Sequence, residues 1–260
     1  MAGISMALMV CGVPKSGTTL LQRICNGHPA ITITSESRVF AFPPAEFWRH
    51  ARNIVGNTAR RAWSGRRTRG LKWLPRFWVV SRYLYALSRR RLVVVDTAAR
   101  EAALHTIFPR ARVVGDKYPG YVFALDRHVS DDRLWCLVIY RDGRDVTSST
   151  LKAVRSSWKD QQFVDNVDSV SKIAQRWAYG IEQMTRHEPL IHTVRYEDLV
   201  ADPRRVMAAV GEWMDVDPTG FPLERVHEKS VGRYQEGLTA DELATVCKVA
   251  GPTLARLGYL

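Results

Sequence analysis

Near the N-terminus the chain runs without a polar break from Met6 to Val13 and enters a glycine-containing turn, Gly12-Val-Pro-Lys-Ser-Gly-Thr-Thr19. An apolar run of that length reads as a central parallel strand buried on both faces. Thr18 to Asn26 then has a helical pattern, with Gly27 near its C-cap and Pro29 beyond it as a stop. A glycine turn that opens a helix points several backbone N–H groups and the positive end of the helix dipole at one place. This stretch therefore predicts an anion site before any side chain is considered.

The same alternation continues along the chain. Short apolar runs recur at Leu92–Val95, Arg112–Val114, Leu134–Tyr140 and Ile191–Val194, separated by helical patterns that include 162–187, 203–214 and 239–257. Strands alternating with helices predict an α/β fold, a mostly parallel central sheet covered on both faces, with ligands outside the carboxyl ends of the strands. At 260 residues the chain can bury roughly 70–75% of its unfolded surface as a single domain. Its 46% apolar and 25% charged content is that of a folded protein, and no repeat or interdomain linker is visible. The apolar run at the N-terminus lacks a basic lead and a small-residue cleavage site, so no signal peptide is predicted, and no segment reaches the ~18–20 apolar residues of a membrane span. Cys11, Cys25, Cys136 and Cys247 form no CxxC pair and read as thiols in a reducing, cytoplasmic compartment.

Lysine placement narrows the anion. A nucleoside-triphosphate loop, GxxxxGK[ST], carries its lysine after the last glycine, where it reaches the β- and γ-phosphates. Here Thr18 follows Gly17 and the only lysine, Lys15, precedes it. A second strand-to-helix turn, Tyr140-Arg-Asp-Gly-Arg-Asp-Val-Thr-Ser-Ser149, places Arg141 at a strand end and Ser149 two helical turns on. Taken alone, that turn is also explained by Asp142 and Asp145 complementing the helix dipole.

Together the two turns resemble the sulfotransferases that use 3′-phosphoadenosine-5′-phosphosulfate (PAPS), a family with a P-loop-like three-layer α/β/α fold. His28-Pro29 and Glu36-Ser-Arg38 resemble the tyrosylprotein and bacterial branch, Gly115-Asp-Lys117-Tyr-Pro119 a GDKxP-like segment, and Arg195-Tyr-Glu-Asp-Leu199 with Asp202-Pro203 a late YEDL segment. The resemblance implies that Lys15, Ser16, Gly17, Thr18 and Thr19 hold the 5′-phosphate, and that Arg141 and Ser149 grip the 3′-phosphate. Tyr196 would support the pocket, and Arg233 in Ser230-Val-Gly-Arg233 stands nearest to the family's late basic cluster. It further implies Glu36 as general base, Lys117 on the transferred group, adenosine 3′,5′-bisphosphate as product and no requirement for a metal. The histidine base of the small-molecule branch is absent, because Tyr118 and Pro119 follow Lys117, and His105 reads as a surface residue of a helix. The implied acceptor is a hydroxyl of a small molecule, glycan, lipid-linked compound or peptide. A P-loop nucleotide kinase or hydrolase, or a basic adaptor, are the competing readings.

Charge is local. Arg49 to Arg91 contains thirteen Lys and Arg and no Asp or Glu, leaving 25 basic against 26 acidic residues elsewhere in a chain of net charge +12. The helical segment 44–91 breaks the strand–helix alternation and reads as an insertion beside the sheet. Its residues allow three roles: packing helices with Leu74, Phe77, Trp78, Leu84 and Tyr85 turned inward, an acceptor lid or docking face for anionic or membrane surfaces, or nucleic-acid binding. No nucleic-acid module accompanies the charge, so the last is not expected.

Overall fold

A computed structural model describes residues 7–64, 74–90, 94–158, 162–224, 226 and 230–260. Strand β1 (Ala7–Cys11) is followed by helix α1 (Thr18–Gly27), strand β2 (Ile31–Ser35), and helices α2 (Phe47–Ser64), α3 (Leu74–Ser88) and α4 (Thr97–Ile107). Strand β3 (Val113–Lys117), strand β4 (Leu134–Tyr140), helices α5 (Gly143–Val154) and α6 (Val170–Arg186), and strand β5 (His192–Arg195) come next. Helices α7 (Tyr196–Ala201), α8 (Pro203–Trp213), α9 (Tyr234–Gly237) and α10 (Ala240–Arg256) complete the order.

The strands form one sheet in the order β2-β3-β1-β4-β5, and every pairing is parallel. Strand alternation sends Ala7, Met9 and Cys11 into a layer with Leu104, Trp177, Ile181 and Leu254. Leu8 and Val10 face the opposite layer, with Leu21, Ile24, Met207 and Val210. Both faces of β1 are fully buried, which is why its sequence is apolar throughout instead of alternating. The expected three-layer α/β/α architecture is thus observed. Successive strands are laid down on opposite sides of β1, so the loops after β1, β3 and β4 open at a common crevice beyond the carboxyl ends.

Two sequence expectations change. Of the run 92–95, residues 92 and 93 lie outside the described residues, and Val95 makes one isolated antiparallel bridge to Ala45 and joins no strand of the sheet. That bridge closes the base of the helical segment, and Arg100 reinforces it by donating to the carbonyls of Pro43 and Val95. Conversely, Ile31-Thr-Ile-Thr34 is the edge strand β2, whose β-branched residues suit a pleated surface. In α3 the buried residues are Val80, Tyr83, Ala86 and Leu87, whereas Trp78 and Tyr85 are exposed, opposite to the inward packing expected of them. The helix turns by its 80/83/87 register, at three- to four-residue spacing, and so rotates 78 and 85 outward. Leu84 is half-buried, Phe77 is exposed, and the side chain of Leu74 lies outside those described.

Candidate active site

The loop after β1 is shaped by two glycines. A Cβ on Gly12, at φ 152°, would sit 2.1 Å from the Ile139 carbonyl oxygen, and one on Gly17, at φ 101°, would sit 2.6 Å from the Tyr196 ring. Both are positions that only glycine occupies without strain. Gly17 is also the N-cap of α1, and no side chain caps that end. The first-turn N–H groups of α1 therefore remain directed at the mouth of the loop. Ser16 is fully buried, and its Oγ has no hydrogen-bond partner among the described residues. Thr18 is buried and Thr19 exposed. Lys15 adopts φ 77°, reaches the face of Trp158 with its Nζ 4.7 Å from the ring centroid, and has its pKa lowered by burial.

Across β1, Arg141 leaves the end of β4 and is buried. Its Nη2 pairs with Asp145 at 2.9 Å and donates to the Ser230 carbonyl, its guanidinium lies 4.6 Å over Tyr196, and its own carbonyl accepts from Trp177 Nε1 at 3.0 Å. Nε of Arg141 is buried without a hydrogen-bond partner among the described residues. Tyr196 thus touches both the loop, through the space a Gly17 Cβ would fill, and Arg141. It links the two motifs, beside the direct donation from Arg141 Nη1 to the Lys15 carbonyl at 3.5 Å.

Asp142 does cap α5, accepting from the Arg144 N–H at 2.8 Å, and Arg144 clamps the same carboxylate with Nη2 at 2.7 Å. Asp145 accepts from the backbone of Gly232 and Tyr234, both at 2.9 Å, which draws the 230–234 segment onto α5. Arg233 itself is exposed, and Ser149 is half-buried two turns into α5. Glu197 accepts from the Asp142 N–H at 3.0 Å and from the Tyr259 hydroxyl at 2.8 Å, so the YEDL segment braces the start of α5 from below.

On the other side of β1, Lys117 ends β3 with its side chain 2% exposed and donates to Glu36 Oε1 at 2.9 Å. Glu36 and Arg38 both adopt φ 58°, a left-handed conformation that costs non-glycine residues roughly 1–3 kcal/mol each. Asp116 holds that turn. Its Oδ1 accepts from Thr34 Oγ1 at 2.6 Å and the Ser37 N–H at 2.9 Å; its Oδ2 accepts from the Arg38 N–H at 2.8 Å and the Tyr121 hydroxyl at 2.7 Å. Burial pushes the Asp116 carboxyl above the usual carboxylate range, against the pull of those four donors. Arg38 lies with its guanidinium 4.1 Å over Tyr118.

Sequence reading had passed over Asp116, although a carboxylate inside a wholly buried strand is itself a signal, since aspartate is almost never fully buried without partners. Trp158 carries no motif signal, and Asp145, expected to complement the α5 dipole, pairs instead with Arg141 and the 232–234 backbone. His105 is half-buried on α4, with Nε2 3.7 Å from Glu101, and is remote in role from this crevice.

The geometry offers helix-end N–H groups, a lysine and a buried arginine on one side, and a lysine–carboxylate pair on the other. A model of the sulfotransferase family matches residues 7–219. Among solved structures, the chain is similar to the sulfotransferase domain of the curacin biosynthetic pathway at 16% identity and TM-score 0.56, covering 98% of both chains. It is similar to sulfotransferase STF9 of Mycobacterium avium at 15% identity and TM-score 0.54, covering 100% of this chain and 78% of that one. Mouse sulfotransferase SULT7A1, solved as a complex with PAP, matches at 11% identity and TM-score 0.50, over 96% of this chain and 85% of that one. With its family model matched over most of its length and its parallel sheet shared with these structures, the chain belongs to the sulfotransferase family and is a transferase.

Proposed function

We propose that the chain transfers a sulfuryl group from PAPS to an acceptor hydroxyl, with Glu36 as general base. The observation that carries this is the pair of buried, unpartnered donors, Ser16 Oγ and Arg141 Nε, flanking an uncapped helix end with Lys15 beside it. Buried polar atoms without partners are rare in native structures, and two that bracket one anion loop fit a doubly phosphorylated nucleotide. PAPS, when bound, supplies the activated sulfuryl group on its 5′-phosphate.

Lys15, Ser16, Gly17, Thr18 and Thr19 would hold that 5′-phosphate, and Lys15 would neutralise charge on the bridging oxygen. A lowered Lys15 pKa suits that task, because a less stabilised ammonium shares its proton more readily. Arg141, Ser149 and Arg233 would hold the 3′-phosphate, with Tyr196 as floor. Lys117 spends one N–H on Glu36, which leaves two for the equatorial oxygens of the group in flight. Glu36 would accept the acceptor's proton; the hydrogen bond from Lys117 Nζ at 2.9 Å orients its carboxylate. The helical segment 44–91 is proposed as an insertion within one sulfotransferase domain, and a cytoplasmic, reducing setting fits the buried thiols of Cys25 and Cys136, both pushed up to about 12 by burial.

The test is thermal stabilisation by adenosine 3′,5′-bisphosphate compared with Mg-ATP. Ligand linkage predicts about 2.7 kcal/mol of added stability at a hundredfold excess over Kd. A shift with Mg-ATP alone would refute the reading. Lys15→Ala should abolish transfer from labelled PAPS, and Glu36→Gln should abolish transfer while keeping bisphosphate binding; full activity in Glu36→Gln would remove that residue as base.

A further inference from the structure

The helical segment carries an outer surface that the transfer site does not use. On α3, Trp78, Arg82, Tyr85 and Arg89 follow at spacings of four, three and four residues, so they form one stripe along the helix, and all four are exposed. On α2, Trp48, Arg52 and Val55 repeat the pattern beside Arg49, again all exposed. Trp48 is 80% exposed, Tyr85 65% and Trp78 50%, values far from those of packing residues. The Arg82 guanidinium lies 5.0 Å from the Trp78 ring, which presents a cation and an aromatic ring together.

The inner faces of the same helices are fixed. His50 Nε2 lies 3.0 Å from the Tyr83 hydroxyl, with both residues fully buried, and Ile54, Val80 and Leu87 of the same helices are buried too. Arg100 closes the base of the segment through the carbonyls of Pro43 and Val95. The outward stripes therefore sit on a braced helix pair. Between Glu46 and Asp96 the chain has no carboxylate at all. A surface with a single sign of charge, set with tryptophan and tyrosine, complements an anionic surface with an apolar layer behind it. Arginines meet the negative charge, and amphipathic rings settle at the headgroup level. No helix among the described residues is long and apolar enough to cross a membrane.

We infer that the outer faces of α2 and α3 dock the enzyme on an anionic lipid bilayer. The inference goes beyond the transfer reaction and does not depend on it. Since α2 begins eleven residues after Glu36, docking would hold the acceptor side of the crevice close to the bilayer.

The experiment is co-sedimentation of the full chain with vesicles of phosphatidylcholine alone and of phosphatidylcholine with phosphatidylserine, at low and high salt. Binding is expected on the anionic vesicles, reduced by salt, and weak on the neutral ones. Each arginine of Arg49, Arg52, Arg82 and Arg89 replaced by serine should weaken anionic binding about fivefold. The variant Trp48→Ser/Trp78→Ser/Tyr85→Ser should lose the vesicle-induced blue shift of tryptophan fluorescence. All five variants should keep the wild-type melting temperature and its shift with adenosine 3′,5′-bisphosphate, which reports the transfer site separately. The inference is overturned if the folded wild-type chain stays in the supernatant, if neutral vesicles bind it equally, if the arginine variants bind like wild type, or if an oligonucleotide binds it more tightly than the anionic vesicles do and the aromatic variant binds that oligonucleotide as weakly as it binds vesicles.

Discussion

Asp116→Asn is the perturbation that probes how the fold holds Glu36, the proposed base. The carboxylate accepts four hydrogen bonds, from Thr34 Oγ1, Ser37 N–H, Arg38 N–H and the Tyr121 hydroxyl. An amide offers one acceptor oxygen and one NH2. With the NH2 toward Thr34, that hydroxyl can accept and turn its own hydrogen to the Gly115 carbonyl, 3.1 Å away. Ser37 N–H then has no acceptor. The opposite orientation orphans Arg38 N–H and takes the Tyr121 hydroxyl as acceptor while it also accepts from Phe40 N–H at 3.2 Å, so the first is preferred. One buried N–H left unpaired costs about 1–3 kcal/mol, and two bonds that lose their charge assistance about 1 kcal/mol each. Removing a buried charge, whose burial pushes the carboxyl pKa up, offsets part of this. The net is about 2 kcal/mol, a fall in Tm of roughly 4–6 °C for a chain of this size. The Ser37–Arg38 turn also carries Glu36 in its left-handed conformation. Its loosening should lower kcat about a hundredfold, the scale of a misplacement near 1 Å, while the Kd for adenosine 3′,5′-bisphosphate stays within a few-fold of wild type. Differential scanning fluorimetry, bisphosphate titration and single-turnover transfer read the three quantities. Unchanged Tm and kcat would refute the network; a lost Tm with wild-type kcat would refute Asp116 as the residue that positions Glu36.

Gly17→Ala brings a Cβ to 2.6 Å from the Tyr196 ring at φ 101°, so it should lower the Tm and weaken bisphosphate binding at least about tenfold, measured by titration. Trp177→Phe leaves the Arg141 carbonyl without its indole donor and should cost about 1–3 kcal/mol in urea melts, with bisphosphate binding weakened through Arg141. Burial and the charge of Arg100 hold His50 down to about 3, and burial holds His128 down to about 4, against about 6.5 when unfolded. The unfolded chain therefore takes up protons below about pH 6.5 that the folded chain refuses, and stability present above that pH is lost as it falls. At pH 5 each histidine should contribute about 2 kcal/mol of loss, and His50→Gln should flatten the melting curve against pH; an unchanged slope would refute the assignment.

What could be read in the residues was local. The uninterrupted apolar β1, the glycines of its loop and the strand-to-helix turn at Arg141 follow from period, buried-face pattern and backbone freedom, each a property of neighbouring residues. The parallel α/β class and the glycine loop that opens α1 were legible for that reason, whereas Glu36 and Lys117 were named only through the resemblance of their short motifs to the family. The failures were also physical. The run 92–95 has strand composition, yet its described end, Val95, bridges to Ala45 beside the helical segment and pairs with no strand of the sheet. In α3, an aromatic at 78 or 85 looks like core by type, yet the helix rotates about its contact with His50 and Arg100's neighbours, and Tyr83 takes the buried place. By itself the sequence determined which strands end in glycine-containing turns that open helices. Only the tertiary structure decided that Tyr196 joins two of those turns, that Asp116 holds Glu36 from 80 residues away, and that a basic, aromatic face is left to solvent. These are contacts between segments far apart in the chain, fixed by strand order and helix rotation, and no local pattern encodes them.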